Sequence, residues 1–150
     1  MMHRVVGAVF VGAALLSGCA ASSSSQNQPD SLSGTSWTLV AFRQAAANAS
    51  EVRPARPDQY RLSFQADGRL VAQVDCNRGS GTWQATPAGS GGSLQLGPMA
   101  LTRMMCPPDP LGQRLPQDVE AVQSYRIVNG QLQLELAGNA GSYIWARAQP

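Results

Sequence analysis

No lysine occurs anywhere in the chain, and the one histidine is His3. The first absence removes Schiff-base chemistry and the phosphate-gripping lysine of a Walker loop. The second removes Ser-His-Asp and Cys-His catalysis, and every imidazole-bearing zinc site, wherever residue 3 is not part of the folded domain. Charge is sparse too: 13% of residues are charged, with 11 basic side chains against nine acidic. That near balance, without a basic run or an arginine stripe interleaved with aromatics, predicts no nucleic-acid partner.

Long apolar runs are missing, with one exception. "VVGAVFVGAALL", Val5 to Leu16, is unbroken over 12 residues. A membrane span needs about 20, so the run fits the hydrophobic part of an export signal, preceded by His3 and Arg4. It ends in "LSGC", Leu16 to Cys19. Small residues before a cysteine match a lipoprotein cleavage site, with Cys19 acylated by diacylglycerol and residues 1–18 removed. An ordinary signal peptide with a chance cysteine is the alternative. By resemblance to bacterial lipoproteins, Ala20 rather than an acid after the cysteine favours the outer membrane, with the domain facing the periplasm. Cleavage takes His3 away, so the mature chain has neither histidine nor lysine.

The domain organisation that follows is a signal at 1–18, an acylated cysteine and tether at 19–33, and one folded domain at 34–148. "AASSSSQNQPDSLSG", Ala20 to Gly34, has no apolar periodicity to bury and is expected to be disordered. Beyond it, short apolar runs are divided by Gly, Pro and Asn. They are residues 36–42, 59–64, 69–76, 82–85, 93–97, 124–128, 131–136 and 142–147. This spacing predicts a mainly β fold, a curved antiparallel β-sheet or β-barrel of about eight short strands.

Turn residues set two registers. Asn129-Gly130 is the preferred pair for a two-residue hairpin, placing Ile127 opposite Leu132 and Tyr125 opposite Leu134. At Asp67-Gly68, a three-residue loop with Gly68 in a left-handed bulge pairs Phe64 with Leu70, Leu62 with Ala72 and Tyr60 with Val74. The same alternation, carried on, turns Cys76 inward and Gln73 and Asp75 outward. One α-helix is expected, because Leu111, Leu115, Val119 and Val122 form a single stripe. Asp109 is a candidate cap, and the helix is expected chiefly over 116–124, with Pro116 in its first turn.

Cys76 and Cys106 are the thiols left in the domain, and an even pair in an exported protein reads as a disulfide. It would close a loop of about 31 residues, worth roughly 3.5 kcal/mol in the chain-entropy model. Two free buried thiols, or a redox or nucleophilic Cys76, are the alternatives; the last lacks a histidine base and a C-x-x-C partner. Asn77 and Gly79 to Gly81 suit a turn with positive φ. Asp75 and Arg78 are the candidates for facing a partner. Met99, Met104 and Met105 read as core filler rather than a soft binding surface or copper ligands. Asp67, Asp75 and Asp109 have no metal-loop spacing, so neither metal nor cofactor is expected.

"LSGTSWTL", "FQADGRLVAQVDCNRGSGTW", "LQLGPMALTRMMCP" and "VQSYRIVNGQLQLEL" together resemble the META domain of the HslJ family, in order and approximate spacing along Leu32 to Arg147. The resemblance implies a curved antiparallel sheet or barrel packed with one helix. It also implies an envelope-associated, stress-linked role, as in members connected with novobiocin resistance, and supplies no catalytic residue set. The expectation is therefore a non-enzymatic, lipid-anchored protein that binds a protein, peptide or small apolar ligand. An inhibitor of an envelope-attacking enzyme such as lysozyme, and a thiol redox protein acting through Cys76, are the alternatives.

Overall fold

Apolar residues at alternate positions dictate strands, because successive side chains of an extended chain point to opposite faces. The computed structural model describes residues 31–46 and 50–149. The signal, Cys19 and most of the expected tether lie outside the described residues. The strands are β1 (Thr35–Arg43), β2 (Glu51–Val52), β3 (Tyr60–Phe64), β4 (Arg69–Val74), β5 (Asn77–Ala88) and β6 (Gly91–Leu96). They continue with β7 (Ala100–Leu101), β8 (Val122–Val128), β9 (Gln131–Leu136) and β10 (Ser142–Arg147), and one α-helix, α1 (Pro110–Asp118), lies between β7 and β8.

Eight of these strands run antiparallel in the order β10-β9-β8-β6-β5-β4-β3-β1, and β10 returns to β1. The sheet is thus a closed barrel. The remaining two are short additions, β2 along the end of β1 and β7 along the start of β5. Both expected hairpins have the registers their turns dictate. Ile127 pairs with Leu132 and Tyr125 with Leu134 around Asn129-Gly130. Phe64 pairs with Leu70, Leu62 with Ala72 and Tyr60 with Val74, with Gly68 at φ 82°.

The inward faces fill the barrel. Trp37, Leu39, Leu62, Phe64, Leu70, Leu94, Leu132, Leu134 and Trp145 are all buried in one cluster. Leu32 joins it at 2% exposure, so the packed domain begins inside the stretch expected to be a disordered tether. A single large apolar side chain in a polar run was enough to be drawn in. Met99 packs against the core, but Met104 and Met105 are 63% and 100% exposed, which corrects their reading as filler.

The helix also differs from expectation. It begins at Pro110, where Asp109 accepts the Leu111 amide (3.0 Å), and contains Pro116. A 3-10 turn follows over Val119–Ala121, and Val122 to Ser124 belong to β8. The stripe itself was sound: Leu111, Leu115, Val119 and Val122 are all buried. Pro at the first helical position needs no amide partner, so the cap sets the start at Pro110 rather than at Pro116.

Residues that α1 touches lie at one rim of the barrel, where β1, β4 and β9 end and β3, β8 and β10 begin. Arg114 lies 3.9 Å over the Phe42 ring and pairs with Asp118 (2.9 Å), which accepts the Tyr143 hydroxyl (2.7 Å). The helix therefore closes this mouth. Among the described residues no helix is long and apolar enough to cross a membrane.

The facing pattern yields a paired test. Leu134→Ala should lower stability by about 3 kcal/mol, whereas Val71→Ala, on an outward position, should change it by under about 0.5 kcal/mol. Urea unfolding of the two variants reads the difference directly.

Candidate functional site

Sequence around Cys76 determines the chemistry of the closed mouth. β4 ends at Val74, which pairs with Asn77, so Asp75 and Cys76 are the two residues of a tight hairpin loop. Asp75 takes φ 55°, a left-handed conformation that aspartate tolerates better than most side chains. The loop breaks the strand alternation, and the expectation that Asp75 faces outward fails. Its side chain is buried, and Oδ1 accepts Arg56 Nη2 at 2.7 Å. Arg56 in turn donates to Gln59 Oε1 (2.8 Å), and its bond to Asp75 holds its pKa above the ordinary arginine value. Arg78 is exposed as expected, and Gln73, half-buried, keeps the outward face of β4 opposite the buried Leu70, Ala72 and Val74.

Cys76 is a half-buried turn residue rather than an inward strand residue, and it is bonded to Cys106, with Cα atoms 5.6 Å apart. Its sulfur is therefore not a free thiolate. The bridge fastens residues 98–106, a strap laid along the first half of β5. Asn77 fastens it again: Oδ1 accepts the Met104 amide (2.7 Å) and the Thr102 hydroxyl (2.9 Å), and Nδ2 donates to the Met104 carbonyl (3.2 Å) and Cys106 Sγ (3.2 Å). The glycines expected to turn after Asn77 instead run straight within β5. At Gly79 a Cβ would stand 1.8 Å from the Ala100 carbonyl oxygen, so glycine is what lets the strap approach.

Between the strap and the helix start lies a cleft of about 310 Å³, whose lining includes Asp75, Met104, Met105, Asp109 and Gly112. Asp109 joins its parts, since Oδ1 caps the helix and Oδ2 accepts the Ala55 amide at 3.0 Å. Beneath the floor, the Tyr60 hydroxyl is buried against the Asp109 carboxylate. Burial first, and the nearby Asp109 carboxylate second, raise its pKa well above that of a free phenol. Tyr143 is raised in the same direction by burial and by its bond to Asp118. The arrangement offers acceptor oxygens beside apolar walls, and no group of three metal-ligating side chains occurs among the described residues.

Sequence reading named Asp75, Cys76, Arg78 and Cys106; the structure brings Asp75 and Cys106 to the cleft, with Cys76 behind it as the partner of Cys106 and Arg78 outside it. It missed Arg56, Tyr60 and the strap-holding role of Asn77. Arg56 sits in a proline-rich connection with nothing in its neighbours to mark an inward guanidinium.

Residues 30–148 match the META domain, and the chain belongs to that family. No curated protein matches it. Among solved structures, it is similar to a protein from Burkholderia xenovorans determined by NMR, with TM-score 0.64 and 24% identity, covering 79% of this chain and 85% of that one. It is also similar to a DUF4847 family protein from Bacteroides vulgatus ATCC 8482, with TM-score 0.56 and 16% identity, covering 78% and 94%. At these identities the likeness is one of fold.

Two outcomes follow from the geometry. In the Cys19→Ser chain, denatured without reductant, labelling should find no free thiol; Cys76→Ser with Cys106→Ser should cost about 3.5 kcal/mol, and Asn77→Ala about 2 kcal/mol. The tyrosines set the alkaline limit. Below about pH 10 their phenols are neutral both folded and unfolded; above it only the unfolded chain sheds those protons, so stability falls as pH rises. Tyr60→Phe should make that fall shallower by up to about 1.4 kcal/mol per pH unit in urea titrations across this range.

Proposed function

We propose that this META domain is a binding module without catalytic activity, held to the bacterial outer membrane through acylated Cys19 and facing the periplasm. The observation that carries the reading is the doubly fastened strap. A disulfide and four Asn77 side-chain bonds fix one wall of an open cleft, while exposed Met104 and Met105 stand on it. Exposed methionines adapt to varied apolar partners, and a braced loop loses little entropy when it binds. The disulfide accords with an oxidising compartment, and the "LSGC" sequence with lipid anchoring. A stress-linked role accords with the family resemblance.

Metabolic labelling with palmitate should mark the wild-type chain in the outer-membrane fraction, and Cys19→Ser should abolish the label. For the binding role, immobilised chain should retain an envelope protein that Asn77→Ala, with its loosened strap, does not. Turnover of ester, peptide or glycoside substrates that is lost on substitution at the cleft would overturn the non-enzymatic reading.

A further inference from the structure

The outer wall of the barrel is uneven in charge. Residues that alternate with the core face outward, and on β3, β4 and β5 the charged ones among them are Arg61, Arg69 and Arg78, with no acid. Strand register sets them close. Arg61 pairs with Gln73 and Gln73 with Arg78, so the two arginines stand two strands apart, about 10 Å. Arg69 lies four residues before Gln73 on the middle strand, and exposed Val71 stands between them. Neither Arg61 nor Arg78 makes an ion pair among the described residues, and Arg69 reaches only exposed Asp67 of its own turn, at 3.9 Å. Asp58, the other nearby acid, is exposed in the turn before β3. Thr102 donates its amide to the Arg78 carbonyl and so brings exposed Arg103 beside the same row. Diametrically across the barrel, on β8 and β9, the outward charges are Arg126 and Glu135, which cancel in a 3.1 Å pair.

We propose that this arginine face lies on the anionic phospholipid headgroups of the membrane to which Cys19 tethers the domain. The proposal rests on the lipid-anchor reading and adds the orientation that the domain takes there. Chain length and point of entry favour this occupant over a soluble polyanion. Residues 20–30 alone separate Cys19 from Ser31, a span of at most about 40 Å even when fully extended. The chain then enters the barrel beside this face, where the Gly34 amide donates to the Phe64 carbonyl at the end of β3 (2.7 Å). An anionic bilayer is thus always within reach, at the millimolar effective concentration that a short link gives. The planar guanidinium matches phosphate oxygens in pairs. Each arginine at such a surface strengthens adsorption about fivefold, so Arg61, Arg69 and Arg78 together favour this face about a hundredfold over a neutral one.

The test uses the acylated chain held in vesicles of phosphatidylcholine, alone or with about 30% phosphatidylglycerol, at about 50 mM salt. Phenylglyoxal modifies accessible guanidinium groups, and peptide mass spectrometry reads the rate at each arginine. With phosphatidylglycerol, labelling of Arg61 and Arg78 should slow by at least about fivefold, while Arg126 across the barrel keeps its rate. Salt at about 0.5 M should restore the labelling, because the Debye length falls to about 4 Å. Arg61→Gln with Arg78→Gln alters exposed positions only and should keep the fold; Arg69 should then label equally fast in both kinds of vesicle. Equal slowing at Arg126, no slowing at Arg61 and Arg78, slowing that salt does not reverse, or protection of Arg69 that survives in the double variant overturns the proposal. A chain that does not stay with the neutral vesicles overturns the anchor, and this orientation with it. A chain that stays but keeps Arg61 and Arg78 reactive overturns the orientation alone.

Discussion

The pairing of the first long strand with the last governs everything else in this molecule. β1 and β10 are joined over six residue pairs, from Trp37 with Arg147 to Arg43 with Ser142. Without that seam the other strands would form an open sheet with one face of large apolar side chains in water. With it, the same face becomes an interior. The seam is not regular: its register shifts between Leu39 and Ala41, so Leu39 and Phe42 both reach the core cluster although they are three residues apart. A bulge of this kind bends a strand and raises its twist, which a closing barrel needs. It also turns Phe42 toward Tyr143, at 4.7 Å between ring centroids, where Arg114 of the helix covers it. Closure and the helix lid are thereby coupled through one aromatic pair.

Arginine alone supplies the positive charge, and its planar head suits the places where it is used. Arg114 stacks on Phe42 and Arg147 lies 4.9 Å from the Trp37 ring centre, while Arg56 reaches a buried carboxylate. A lysine in these positions would offer a strongly hydrated point charge and no flat face. The composition that leaves arginine as the side-chain cation of the barrel is the same one that stitches helix and connection to it.

Legibility in the sequence followed the physical range of each determinant. Where local turn chemistry and a period of two acted together, as from Tyr60 to Val74 and from Tyr125 to Leu134, register could be read residue by residue. The helix stripe was legible, but its start was not, because Pro110 and Pro116 each suit a first turn and only the docking of Asp109 onto Ala55 and Leu111 chooses. β2 and β7 have two residues each, too few to carry a period. The "DCN" segment was read as strand then turn, and it is turn then strand. Extrapolating alternation past Val74 put Asp75 outside, whereas one left-handed residue turns it inward. Cys106 could be matched to Cys76 by count, but the Asn77 bonds to a segment 25 to 29 residues away leave no local trace.

The filling of the barrel decides where recognition can occur. An eight-stranded barrel is just wide enough for its own side chains to occupy or for one small ligand. Here two tryptophans, three tyrosines and two phenylalanines are buried at 1% exposure or less, leaving the interior to the protein itself. Binding chemistry is thus displaced to a rim, where alternation ends and side chains can be re-aimed by turns. Of the two rims, the one under α1 gathers a disulfide, a buried ion pair, a helix cap and a buried phenol around one cleft. The opposite rim carries turns such as Asn129-Gly130, whose residues are exposed and whose sequence is explained by backbone conformation alone. The buried polar group of the opposite mouth, Thr35, is spent within the fold, its hydroxyl donating to the Leu32 carbonyl and accepting the Trp37 indole N–H, whereas the carboxylates at the α1 mouth also line an open cleft, and that asymmetry is what separates a site from a scaffold in this barrel.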